Sequence, residues 1–169
     1  MILIVRPGEL TVKRGATRLE MERLLLRAAR EAAGECGGAR FRREPGRIYA
    51  EGDVECLKRV LSRVFGVRSV SPAHVVTFRE VGDIASAAAA LWSNVVVGKK
   101  FAVRVHRVGN HPFTSRDVAA AVGAALVAAG GTVDLENPEV ELFVEVRGDK
   151  AYLYTEVVEG PGGLPLGSE

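Results

Sequence analysis

The chain is poor in the residues that usually mark chemistry. It has two cysteines, one tryptophan and three histidines in 169 residues. Cys36 and Cys56 form no C-x-x-C pair and have no histidine at metal-ligand spacing, which excludes a zinc ribbon and leaves a reduced compartment as the default. No Ser-His-Asp set, paired carboxylates or H-E-x-x-H is present, so no catalytic residue, metal or cofactor is expected of this chain on its own. The apolar run Met1–Val5 is too short for a signal-peptide core and ends at Arg6-Pro7, and no run nears the roughly 20 apolar residues of a membrane span. The cytoplasm is therefore the expected location.

What is present is apolar material for a sizeable core, at 47% hydrophobic and 26% charged residues, and an uneven charge. Residues 1–76 carry fifteen Lys/Arg against nine Asp/Glu, a net of +6, and residues 77–169 carry eight against twelve, a net of −4. Five of those eight, Lys99, Lys100, Arg104, Arg107 and Arg116, fall in one acid-free stretch that also holds His106 and His111. A basic strand, a Gly/Pro turn and a capped helix start follow one another there, a surface suited to a phosphate backbone. Free amides at the helix start, with Ser115 and Arg116, add anion donors. Arginine outnumbers lysine 18 to 5, a bias that GC-rich coding, a hot habitat or RNA contact would each produce.

Periodicity divides the chain into two lobes and a tail. Over residues 1–76 the order is β-α-β-β-α-β. Strand Ile2–Val5 is followed by a helix opened by the capping box Thr17-x-x-Glu20, and by a hairpin turning on Glu44-Pro45-Gly46-Arg47. A helix capped by Asp53 and stopped at Gly66 comes next, then strand Val67–Val76, interrupted at Pro72. With right-handed crossovers this closes as a ferredoxin-like sandwich. Phe78–Gly82 reads as the connection between lobes. Residues 77–159 then read α-β-α-β-β-β. Asp83 caps the first helix, and Phe101, Val103 and Val105 alternate with Ala102, Arg104 and His106. Residues 160–169, rich in Gly and Pro, read as a linker-like tail. The fold class is α+β.

The phrases Gly98-Lys-Lys-Phe-Ala-Val-Arg-Val105, Gly109-Asn-His-Pro-Phe113, Val133-Asp-Leu-Glu-Asn-Pro138 and Glu145-Val-Arg-Gly-Asp-Lys-Ala-Tyr152 resemble a THUMP domain as found in the tRNA 4-thiouridine synthetases. Gly8-Glu-Leu-Thr-Val-Lys13, Arg47-Ile-Tyr-Ala-Glu-Gly52 and Val64-Phe-Gly-Val-Arg-Ser-Val-Ser-Pro72 resemble the ferredoxin-like domain that precedes it in that family, and the tail resembles the linker to the catalytic domain. The family's Ser-Gly-Gly-x-Asp-Ser loop for ATP pyrophosphate has no counterpart here. The resemblance implies tRNA capture rather than catalysis: an RNA-binding part of a uridine-thiolating enzyme that works with a catalytic domain or with a subunit in trans, in a family where homodimers occur. Lys99, Lys100, Arg104, His106 and Arg107 would hold the 3′ CCA end, with His111, Ser115 and Arg116 beside them. Lys13, Arg14, Arg18, Arg42, Arg43 and Arg47 would track the acceptor stem. Rival readings are a stand-alone THUMP adaptor for tRNA acetylation or methylation, and a small acylphosphatase-like enzyme built around Arg6-Pro7-Gly8.

Overall fold

The structure, a computed structural model, describes residues 1–8 and 15–163. Lys13, Arg14 and the tail from residue 164 onward lie outside the described residues. The chain divides into two compact units, residues 1–73 with 156–169, and residues 74–155.

The first unit comprises β1 (Ile2–Pro7), α1 (Gly15–Ala33), a short 3-10 turn at Gly34–Cys36, β2 (Arg40–Glu44), β3 (Arg47–Glu51), α2 (Val54–Leu61) and the first part of β4 (Val67–Thr77). The strands lie in the order β2-β3-β1-β4, every neighbouring pair antiparallel. This is the ferredoxin-like order expected from the sequence. β1 is central and wholly buried, which explains its uninterrupted apolar run. Leu3 and Val5 pack against Leu25 and Ala29 of α1 and Leu57 and Leu61 of α2. Gly46, at φ 75°, supplies the left-handed position of the hairpin.

Several local readings change. α1 begins at Gly15, so Thr17 sits inside its first turn instead of capping it. Asp53 does cap α2, accepting a bond from the Cys56 amide at 3.2 Å. That helix ends at Leu61 rather than at Gly66, because the amides of residues 62–64 turn back on carbonyls of its last turn. Pro72 does not interrupt β4. It falls between the part of the strand that pairs with β9 (Val158–Glu159) and the part that pairs with β8 (Lys150–Tyr154), where no amide is called on. Cys36 and Cys56 are not free thiols: they form a disulfide with Cα atoms 5.7 Å apart, joining the turn after α1 to the first turn of α2.

Residues 156–163 return to the first unit, although the Gly/Pro-rich stretch from 160 read as a linker-like tail. β9 pairs with Ser69 and Val70 of β4. Gly160 N–H donates to the Arg68 carbonyl and Gly162 N–H to that of Val67, both at 2.8 Å, while Gly66 N–H donates to the Gly162 carbonyl at 2.8 Å. Glu156 and Glu55 flank the Lys58 ammonium at 3.2 and 2.9 Å, and these two carboxylates raise its pKa. A Cβ on Gly160 would stand 2.3 Å from the Val67 carbonyl oxygen. Gly160→Ala is therefore expected to lift this strap from β4 at a cost of about 1–3 kcal/mol, measurable as a lower urea midpoint and as faster amide exchange at Gly162.

The second unit holds residues 74–77 of β4, α3 (Val81–Val96), β5 (Lys100–Val108), α4 (Ser115–Ala128), β6 (Thr132–Val133), β7 (Val140–Arg147) and β8. The strand order is β4-β8-β7-β5-β6, with β5 parallel to both β7 and β6 and the remaining pairs antiparallel. Trp92 and Val96 of α3, Val122 and Leu126 of α4, and the sheet residues Phe101, Leu142, Val144 and Leu153 form its core. Phe78, read from sequence as part of a connection, is 6% exposed in that core, and its amide donates to the Asp149 carbonyl at 3.0 Å. Glu80 is the N-cap residue of α3. Asp83 sits at the third helical position, where its carboxylate accepts the Arg79 and Glu80 amides, and those two bonds lower its pKa. No helix among the described residues is long and apolar enough to cross a membrane.

Candidate nucleic-acid interface

The alternation read in β5 decides which of its side chains face the helices. Phe101, Val103 and Val105 pack into the core beneath α3 and α4, leaving Arg104 and His106 on the opposite face of the sheet. The parallel register sets Arg104 beside Phe143 of β7, and the antiparallel register sets Phe143 beside Tyr154 of β8. One row across three strands thus carries a guanidinium and two aromatic rings. The rings are stacked, with centroids 5.1 Å apart and planes 8° from parallel. Arg104 Nε donates to Glu141 Oε2 at 3.2 Å and Nη2 to the Leu135 carbonyl at 2.9 Å, yet its side chain remains 40% exposed. The guanidinium is oriented without being buried. Sequence reading passed over Phe143 and Tyr154. Counting the hairpin register outward from Arg147 and Lys150 would have paired them.

His106 is exposed and has no side-chain partner among the described residues. The next row places Glu145 of β7 beside it; that carboxylate is 1% exposed and lies 3.4 Å from Arg147 Nε. Lys99 and Lys100 are exposed where β5 begins. Their backbone is pinned: the Lys99 carbonyl accepts the Thr132 amide, and the Lys100 amide donates to Glu139 Oε2 at 2.8 Å. Asp134 accepts the Asn137 and Glu136 amides. The Asn137 bond, more than the Glu136 bond or nearby Lys100, holds its carboxyl below the usual range. Lys100 therefore has acids close by, whereas the Lys99 ammonium has no partner among the described residues.

Arg107 and His111 take part in holding the turn after β5. Arg107 Nη1 donates to the Gly109 carbonyl at 2.6 Å and to His111 Nδ1 at 3.0 Å. An arginine only donates, so His111 Nδ1 accepts and its Nε2–H donates to the Gly148 carbonyl at 2.8 Å. The ring lies 4.9 Å from Phe113 and 6.2 Å from Phe78. At the start of α4, Thr114 Oγ1 accepts the Asp117 amide and Asp117 Oδ2 accepts the Thr114 amide, a reciprocal cap that places a carboxylate next to Ser115. Ser115 is half-buried, while Arg116 is exposed and unpaired among the described residues.

In the first unit, Arg18 and Arg43 converge on Glu22, a carboxylate only 5% exposed. Arg42 pairs with Glu44 and its guanidinium lies 4.3 Å above the Tyr49 ring. Arg47 Nη1 donates to the Gly46 carbonyl at 2.9 Å.

The THUMP domain model matches residues 79–156 and the ThiI ferredoxin-like domain model residues 2–71. The tRNA sulfurtransferase of Pyrobaculum aerophilum is 73% identical over 168 residues, covering 99% of this chain and 35% of that protein. The chain thus spans about a third of the length of that relative. Among solved structures, PH1313 from Pyrococcus horikoshii is similar with a TM-score of 0.86 at 32% identity, over 99% of this chain and 57% of that one. A 4-thiouridine synthetase–RNA complex with bound ATP is similar with a TM-score of 0.78 at 26% identity, over 99% of this chain and 44% of that one.

Proposed function

Since the chain belongs to the THUMP-domain family and carries that domain behind a ThiI ferredoxin-like domain, we propose that it captures tRNA for the thiolation of a uridine. Its second unit holds the unpaired 3′ end and its first unit the acceptor stem. The thiolation chemistry falls to a catalytic domain or subunit, corresponding to the part of the sulfurtransferases that this chain does not match.

The observation that carries this reading is the row Arg104–Phe143–Tyr154. An unpaired RNA end is held by stacking of its bases and by cations on its phosphates. The row supplies a stacked aromatic pair and, beside it, an oriented, half-exposed guanidinium. His106, Lys99 and Arg116 add donors and diffuse charge around the strand. The relative solved with RNA and ATP bound supports RNA as the ligand.

The test is a salt titration of binding to full-length tRNA, to the same tRNA lacking its 3′ CCA, and to an unrelated RNA duplex. The expected result is an affinity for intact tRNA about tenfold or more above that for the truncated form. Equal affinities for those two would overturn the 3′-end assignment. Affinity for intact tRNA no greater than for the duplex would overturn tRNA capture itself.

A further inference from the structure

The first unit's candidates for the acceptor stem are mostly engaged within the protein: Arg18 and Arg43 on Glu22, Arg42 on Glu44, and Arg47 at its own turn. Three other arginines of the same unit differ. Arg23, Arg27 and Arg30 of α1 are exposed and have no acidic partner within ion-pair distance among the described residues. Their spacing of four and then three residues puts them on one helix face. Together with Leu26 and Glu31 they line an open surface groove of about 470 Å³. At 1.5 Å of rise per residue the stripe is about 10 Å long, the reach of a few consecutive phosphates on one strand. Guanidinium groups suit phosphate because their donors match two of its oxygens at once. Glu31, the only acid in the lining among the described residues, lies toward the end of the helix, where it repels a phosphate chain running further that way.

We propose that the Arg23–Arg27–Arg30 face of α1 is a tRNA contact in its own right, gripping the sugar-phosphate backbone of the acceptor duplex without reading its sequence. The proposal rests on the tRNA reading above and replaces the hairpin arginines as the first unit's main contribution. Contacts of this kind set affinity and its salt dependence and leave discrimination of the 3′ end untouched.

The test compares the full chain with the triple variant Arg23→Gln/Arg27→Gln/Arg30→Gln, chosen because glutamine keeps the helix propensity of arginine. The slope of log K against log salt for tRNA is expected to fall in magnitude by about 2–3, at slightly under one for each phosphate the variant leaves unneutralised. The ratio of affinities for intact and CCA-less tRNA is expected to stay as in the parent. Glu31→Gln acts in the opposite direction, tightening binding about two- to fivefold at low salt, and so does not depend on how well the triple variant folds. Arg40→Gln, whose exposed side chain pairs with Glu51, serves as the control and is expected to change the slope by less than one. A parent that binds tRNA with a preference for the intact 3′ end, together with a triple variant of unchanged slope, would overturn this contact alone. A parent that binds tRNA no better than unrelated duplex would overturn the tRNA reading and this contact with it. Loss of binding only to a polyglutamate peptide, with the tRNA slope intact, would assign the face to an acidic protein and overturn the proposal.

Discussion

Replacing Arg104 by alanine is expected to erase the affinity difference between intact tRNA and tRNA lacking its 3′ CCA, by weakening the intact form about 10- to 100-fold. The magnitude follows from one charge-assisted hydrogen bond to phosphate, worth about 1.5–3 kcal/mol once desolvated. The guanidinium reaches that position already oriented by Glu141 and the Leu135 carbonyl, so little side-chain freedom remains to be lost on binding. Arg104→Lys is expected to rescue only part of the loss, because an ammonium cannot hold both of those contacts and still present a second fork to phosphate. Phe143→Ala removes one ring of the stacked pair and is expected to weaken the intact tRNA by about 1–3 kcal/mol while barely moving the salt slope. The two variants separate charge from stacking. A preference for the intact end that persists in Arg104→Ala would remove this residue from the site.

Cys36→Ser/Cys56→Ser is expected to destabilise the first unit by about 3 kcal/mol through the freedom regained by the unfolded chain. The bond spans 20 residues, and the whole β2–β3 hairpin lies inside the loop it closes. For a unit of this size such a loss lowers the midpoint by roughly 12–24 °C. The chain's single tryptophan, Trp92, is buried in the other unit, so its fluorescence reports that unit's unfolding separately. The expected pattern is faster amide exchange across β1–β3, with a Trp92 transition that moves less. Exchange unchanged by the double substitution, or by dithiothreitol, would show that the bond does not hold this unit together.

How far the sequence could be read depended on whether one element or two were involved. The hairpin at Pro45-Gly46 was legible because a left-handed position demands glycine, and Gly46 has that backbone. The faces of β5 were legible because a strand alternates. Features made by two distant segments were not. Nothing in a 20-residue spacing shows that the end of α1 and the start of α2 meet, so two cysteines from which a reduced compartment was the default reading proved to be bonded. Basic residues were countable, but Glu22 faces Arg43 across 21 positions, and only the fold reveals that the pair neutralise one another. The same limit hid the row joining Arg104 to Phe143 and Tyr154, which needs two strand registers at once.

The return of Val158–Glu159 to β4 has a consequence for synthesis. On the ribosome, β4 emerges early, but the strap that covers its edge at Ser69 and Val70 is not made until the intervening unit has been translated. At about 5–20 residues per second that interval is on the order of 5–20 s. During it the nascent first unit presents an unpaired strand edge, the kind of surface that recruits other strands. The unit begun first is therefore completed last, and Gly160 and Gly162 act as the latch whose arrival ends its exposure.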